Sequence, residues 1–529
     1  MEPVRGRGRV SGRIARAEAG HLARRAAGPG LVCGLGSLSV AMLGFYCGGS
    51  EAVPSPRLRV ALESPAVTLD PHGHAHNLTA AILAHFYDAL VSFDPDLHVQ
   101  PRLAESWENP SDSVWRLHLR RGVVFHDGRP LGAEDVAASL RRAMRPGCPV
   151  AYNLLGVSDV RVVREGVIEI ATRFPSLVLL NKLAAVPIVP RDAPERIERP
   201  VGTGPYRFVA ATPAGAVDGQ RFERFWGRSP AFDTVSFVAI PDDDRRAEAV
   251  VRDEADVVCQ YPRGRWQWGM QQTSMRMRSA LGLQVIMVVF SVAEDQPFSD
   301  LRLRTAASLA VDRSDLVAEG LGGLGAPLDQ LVPPAVHGYA KDLPVLPNDA
   351  AAARRLVTEA RWPPGAAVPL YTARTYEPVV RVLVRQLADV GIRLEPQILA
   401  QGLFYEKLAQ ERLPAALFGW SAQSGDASAT LDPLFHSPSG GFGRFNGFSY
   451  ANPTIDSLIE SADRAARPRD RLASFAEAMR ILREDALAIP LAVVSDLYAT
   501  RAGLEWEPPI HRQIRAEEVR PSQAAGSTE

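Results

Sequence analysis

Val114-Trp-Arg-Leu-His-Leu119-Arg-Arg-Gly-Val-Val-Phe125-His-Asp127-Gly128-Arg-Pro130-Leu-Gly-Ala-Glu134-Asp135-Val136 is the stretch whose reading decides how this chain folds. Apolar and polar residues alternate from Val114 to Leu119, the period of a half-buried strand. Asp127-Gly128 supplies the residues a tight reversal needs, and a helix is expected from about Ala133 to Met144. Further out, Leu58-Arg-Val60-Ala-Leu62 alternates in the same way and is stopped by Ser64-Pro65, and a helical run is expected from Leu78 to Leu90. Later, Asp349 can cap a helix whose apolar positions Ala353, Leu356, Val357 and Ala360 recur at helical spacing. A second helix through Val380, Leu383, Val384 and Leu387 stops at Gly391, and Ile392-Arg-Leu394 follows as a strand. Helix passing directly into strand is the pattern of an α/β chain.

With 529 residues there is length for two to four domains, at roughly 100–200 residues each. Lys+Arg 59 against Asp+Glu 60 gives a formal net charge of -1, so no global field draws the protein to nucleic acid or to an anionic membrane. Lys182, Lys341 and Lys407 are the only lysines, and the arginine bias is read as base composition, not phosphate recognition.

The first thirty residues carry Arg5, Arg7, Arg9, Arg13, Arg16, Arg24 and Arg25, and Leu31 to Tyr46 then runs apolar and small. This is the make-up of an export signal spanning 1–52, too short and glycine-rich for a membrane span, so the mature protein is expected to be periplasmic or at the cell surface. Cys47 stands where a lipidated cysteine would, after the bulky Leu43-Gly-Phe45-Tyr46; cleavage after Ala52, in the small-x-small run Ser50-Glu-Ala52, is the alternative. Of the four cysteines only Cys148 and Cys259 lie beyond that segment, and they read equally as one disulfide or two separate thiols.

The opening stretch, with Val201-Gly-Thr-Gly-Pro-Tyr206, Phe298-Ser-Asp-Leu-Arg-Leu-Arg304, Ala310-Val-Asp312-Arg313 and Tyr450-Ala-Asn452-Pro453-Thr-Ile-Asp456, resembles the family 5 solute-binding proteins of bacterial ABC importers, the dipeptide and oligopeptide receptors. The likeness runs in order from about Leu58 to Thr500. It implies a two-lobe periplasmic-binding-protein-like fold of type II, with an extra subdomain inserted in the first lobe. By that resemblance 53–95, 196–283 and 488–510 form lobe 1, 96–195 its inserted subdomain and 284–487 lobe 2; the residues themselves make 511–529 a polar tail, expected to be frayed from Arg515 to Glu529. Gln284 to Phe290 and Ala488 to Val493 would be the strands crossing between lobes. The function implied is capture of a peptide or peptide-like small molecule between the lobes by a monomer, which delivers it to membrane permease subunits. A receptor for a nickel-type metal chelate and a ligand sensor without transport are the alternatives.

Catalytic signatures are missing from the sequence. There is no Walker loop, G-x-S-x-G or H-E-x-x-H, and Gly320-Leu-Gly322-Gly-Leu-Gly325 follows a helical segment, not a strand, so it reads as a helix-ending loop. A binder without enzymatic activity or cofactor is the reading. His72-Gly-His74-Ala-His76 would point three imidazoles one way if extended, a metal-ligand pattern, but the preferred reading is an exposed polar loop. In dipeptide receptors a carboxylate in the turn after a Gly-Trp pair holds the ligand ammonium, and an arginine before a helix of the second lobe holds its carboxylate. Carried onto this chain, Arg374-Thr-Tyr376-Glu-Pro378 implies Arg374 as the carboxylate anchor, with Tyr376 beside it. In Phe418-Gly-Trp420-Ser-Ala-Gln423-Ser-Gly-Asp426, Trp420 would wall the ligand and Gln423 stands where the carboxylate is expected, so that either Asp426 is the substitute or the ligand has no free α-amine there.

Overall fold

Segment 114–144 folds as its alternation dictates, with strand Val114–Leu119 carrying Leu117 and Leu119 inward and helix Ala133–Ala143 burying Val136, Ala137, Leu140 and Ala143. Between them Gly128 takes φ +89, a left-handed conformation, and its N–H donates to the Phe125 carbonyl at 2.9 Å. The computed structural model describes residues 56–512 and 514–522. The export segment, Cys33, Cys47 and the last seven residues lie outside them. No helix among the described residues is long and apolar enough to cross a membrane.

An 11-stranded mixed sheet runs through the molecule. Its order is Arg393–Leu399, Ala367–Ala373, Ala415–Ser421, Met275–Phe290, Ala488–Arg501, Val257–Val258, Arg57–Leu62, Thr234–Ala239, Val217–Arg221 and Tyr206–Ala211, with Gly325–Pro327 added beside Ala488–Arg501. The two runs expected to cross between lobes lie in the two longest strands, and these pair antiparallel with each other. Their register slips between Leu281 and Val285, where Gly282 packs against the Asp496 carboxylate so closely that a β-carbon would collide with it. A separate four-stranded antiparallel sheet holds Ala104–Ser111, Val114–Leu119, Val167–Thr172 and Val157–Arg164.

Apolar side chains gather into distinct cores. One draws on residues from Leu90 to Ile188, around the four-stranded sheet. The largest draws on Leu283 to Val494, with Leu97. Two more join the first strand to segments near 206–261 and to Leu497 and Tyr498. The recognisable motifs are structural joints within this frame. Asp300 caps helix Leu301–Ala310, the buried Arg304 donates to the carbonyls of Phe298, Ser299 and Asp485, and the Arg313 guanidinium donates to the Pro490 carbonyl at 2.8 Å. Asn452 accepts from Thr454 N and Ile455 N, with Pro453 at the first helical position.

Two expectations are corrected here. The helix expected over 78–90 is Asn77–Leu83, because the His85 and Phe86 carbonyls accept instead from Tyr206 N and Gly204 N, which ends the ladder. The stretch from Arg515 is not frayed throughout: Ala516 and Val519 are buried, and Ala516 N donates to His85 Nε2 at 2.9 Å. Cys148 and Cys259 are unpaired; Cys148 Sγ donates to the His72 carbonyl, and burial pushes the Cys259 thiol up to about 12.

Candidate functional site

The strand Ala415–Ser421 carries the Gly-Trp pair to the wall of a cavity of about 1060 Å³, at the upper end of the roughly 300–1,000 Å³ usual for small-molecule sites. Its lining comes from stretches far apart in sequence: 63–102, 150–187, Gln260, Gln284, 401–464 and 511–515. Phe418 points into the core, stacked with Phe448 at 6.4 Å, while Gly419 and Trp420, near the end of the strand, both border the cavity. Gly419 admits no side chain, because a β-carbon would meet the Tyr376 hydroxyl and lie 2.7 Å from Gln284 Cδ. Tyr376 is buried behind it and accepts from Gln284 Nε2 at 3.3 Å, while Tyr405 donates to the Gly419 carbonyl at 3.1 Å. Trp420 faces the cavity with its indole fixed by a 2.8 Å hydrogen bond from Nε1 to the Ala429 carbonyl and by edge-on contact with Phe445.

Trp420 and Gln423 therefore share this wall, whereas Tyr376 supports it from behind. Asp426 does not reach it, which corrects the ammonium-site expectation. Its carboxylate is 1% exposed and fully engaged, accepting from Arg471 Nη2 at 2.6 Å and from Ser428 N at 2.9 Å, with His337 Nδ1 at 3.4 Å. Burial would raise its pKa, but the Arg471 charge and these hydrogen bonds hold it well below the carboxylate range. Arg374 is likewise corrected. It is exposed in the turn Arg374–Tyr376 that ends strand Ala367–Ala373, and it is not among the cavity-lining residues, because that turn sends Tyr376 inward and Arg374 outward. Arg374→Ala is expected to leave ligand affinity and stability within about 0.5 kcal/mol of the unchanged protein, by calorimetry and urea melts.

The His72-x-His74-x-His76 stretch is exposed only in part: Gly73, Ala75 and His76 are exposed, and the His76 side chain caps helix Asn77–Leu83. His72 and His74 are buried, and both nitrogens of His72 are spent on the protein, whereas His74 and His76 lie on the cavity wall. His72 Nε2 donates to the Pro187 carbonyl at 2.8 Å while Nδ1 accepts from Arg142 at 2.8 Å; His74 Nδ1 accepts from His76 N. Burial pushes His72 down to about 4, and the Arg142 guanidinium adds to it against the Pro187 hydrogen bond. A histidine kept neutral in the fold stabilises it fully above the unfolded pKa of 6.5, and that stability is lost as pH falls from 6.5 towards 4. The loss is on the order of 3 kcal/mol at about 1.4 kcal/mol per pH unit. Urea melts at pH 7 and pH 4 should show this drop, and a His72→Asn variant a smaller one.

Other cavity residues escaped the sequence reading. Arg512 and Arg515 come from the C-terminal stretch, where Trp506, Ile510 and Ile514 in a polar run were the only sign that it packs. Arg512 is held against Asp496 and donates to Gln284 Oε1 at 3.3 Å. Arg102 is paired with Asp88 at 2.6 Å. Lys182 and Asp432 also line the cavity, and Lys182 is one of only three lysines in an arginine-rich chain.

A family model described as "Bacterial extracellular solute-binding proteins, family 5 Middle" matches residues 98–442. The chain is 28% identical over 454 residues to the glutathione-binding protein GsiB of Salmonella choleraesuis (strain SC-B67), covering 82% of this chain and 88% of that one. Its fold matches the periplasmic binding protein DppA from Helicobacter pylori in complex with the peptide STSA, with TM-score 0.76 and 21% identity over 88% of this chain and 98% of that one. It also matches NikA from Brucella suis in complex with Fe(III)-EDTA, with TM-score 0.80 and 21% identity over 88% of this chain and 100% of that one.

Proposed function

Because this chain belongs to the family 5 bacterial extracellular solute-binding proteins, we propose that it captures a peptide or peptide-like small molecule in the 1060 Å³ cavity and delivers it to the permease of an ABC importer. The observation that carries the ligand class is the cavity wall itself. An indole from Trp420 lies beside amide, carboxyl, ammonium and guanidinium groups of Gln423, Asp432, Lys182 and Arg515, a mixed lining suited to a solute that is part apolar and part charged. The name of the glutathione-binding relative points the same way.

In this reading the lobes are 53–95 with 196–283 and 488–510, and 284–487, with 96–195 inserted in the first. The core around the four-stranded sheet supports the inserted part, while the core of 284–487 also takes in Leu97 and Ala488 to Val494 of the crossing strand. Ligand contacts from both sides of the cavity favour a closed form, which a monomer presents to the membrane partner. Trp420 and Gln423 touch the ligand, Tyr376 holds their wall, and no covalent step is needed. The arginine-rich start and its apolar run support export, and Cys47 is the residue that a lipid anchor would use. His72 is taken out of the metal-chelate alternative by the protein groups that occupy both its nitrogens, which leaves His74 and His76 on the cavity wall as its candidate ligands.

The test is mass spectrometry of small molecules released on denaturing the purified protein. A peptide or peptide-like solute at near-stoichiometric yield is expected. Release of none, together with no thermal stabilisation by a peptide library, would sink the proposal.

A further inference from the structure

Four polar groups in one region of the cavity wall have no partner among the described residues. The Asp432 carboxyl accepts no hydrogen bond and joins no ion pair among the described residues, and its Oδ1 is shut off from solvent. Gln423 Nε2 and Ser424 Oγ are also buried and unpartnered, and Lys182 has no carboxylate within ion-pair distance among the described residues. The fold brings these groups together. Asn181 Nδ2 donates to the Ser424 carbonyl at 3.0 Å, so the helix Leu179–Leu183 that bears Lys182 lies on the turn that bears Gln423 and Ser424. Lys182 and Asp432 also sense each other's charge without being joined.

The neighbouring acids contrast with this. Asp426 and Asp463 are both compensated by Arg471, at 2.6 Å and 3.2 Å. Asp432 has no such partner, and burial together with Asp463 pushes its carboxyl well above the ordinary range. Each buried polar group left unmade costs about 1–3 kcal/mol, so a complementary set on one cavity wall gains from a solute that pairs with all of its members.

We infer that Lys182, Gln423, Ser424 and Asp432 form a subsite for the zwitterionic head group of an α-amino acid, an ammonium and a carboxylate on one carbon, as at the free end of a γ-glutamyl peptide. This rests on the peptide-like reading above. The Asp432 carboxylate takes the ammonium, while the Lys182 ammonium, the Gln423 amide and the Ser424 hydroxyl donate to the carboxylate. An ordinary α-linked N-terminus offers an ammonium but only a carbonyl in place of the carboxylate, which leaves Lys182 uncompensated.

The test is calorimetry on the full chain with three probes: glutathione, N-acetylglutathione and the tripeptide of the same composition with its glutamate α-linked. Glutathione should bind at least tenfold tighter than either of the others. Asp432→Asn should weaken glutathione at least tenfold and leave N-acetylglutathione unchanged, and Lys182→Gln should weaken glutathione while sparing the α-linked isomer. Comparing the three probes on the unsubstituted protein decides the matter even if a variant misfolds. Equal binding of the three, or binding of none, overturns the subsite. The peptide-like reading falls with it only if the purified protein also releases no peptide-like solute.

Discussion

Arg471→Leu is expected to destabilise the fold by about 3–5 kcal/mol, the range for removing one partner of a buried ion pair. The side chain is wholly buried, and its guanidinium serves Asp426, Asp463 and the Ala462 carbonyl together. Without it the Asp426 carboxylate, itself 1% exposed, is left with Ser428 N and His337. The same pair ties the turn after Trp420 to helix Pro468–Glu484, so the cavity wall should loosen with the fold. Adding Asp426→Leu should recover much of the loss, because the uncompensated charge then disappears. Urea melts of the two single variants and the double variant test this, and a single-variant loss below about 1 kcal/mol would count against it. Asp426 also sets an acid limit. Its folded pKa is depressed, so its contribution is present above the unfolded value of 3.8 and is lost as pH falls below it.

Gly202→Ala is expected to cost about 3 kcal/mol or more, at the severe end of overpacking. A β-carbon there would be driven into the Phe86 carbonyl oxygen, with Tyr87 Cδ1 2.7 Å away, and the oxygen cannot retreat because it accepts from Gly204 N at 3.1 Å. Tyr87, Asp88 and Ala89 follow directly and line the cavity, so ligand affinity should fall along with the melting temperature. A melting temperature unchanged by the substitution would show that the segment can shift freely.

This glycine also marks the limit of what the sequence can say. Val201-Gly-Thr-Gly-Pro-Tyr206 was legible as a family motif, yet its physical reason lies in a contact with Phe86, over a hundred residues earlier. Strand alternation in Val114–Leu119, the Asp349 cap and the left-handed Gly391 are local and were legible from residue types alone. The site was legible only in outline. The turn after Gly419-Trp420 was found, but which of its polar residues faces the ligand depends on Arg471, which claims Asp426 from forty-five residues away. Arg374 failed for a related reason, because the sense in which a single turn presents its side chains is set by packing. The C-terminal stretch looked polar because its few apolar residues, Trp506, Ile514 and Val519, are spaced for tertiary contacts with no helix or strand period to reveal them.

The first strand of the described chain, Arg57–Leu62, lies between Thr234–Ala239 and Val257–Val258, and the latter leans in turn on Ala488–Arg501. The residues made earliest in this sheet must therefore wait for partners about 180 positions later, and the sheet is complete only when nearly the whole chain is available. A topology with so many distant pairings folds slowly. Until its partners arrive the central strand Arg57–Leu62 has both edges open, so the sheet is exposed to mispairing for as long as its late strands are missing.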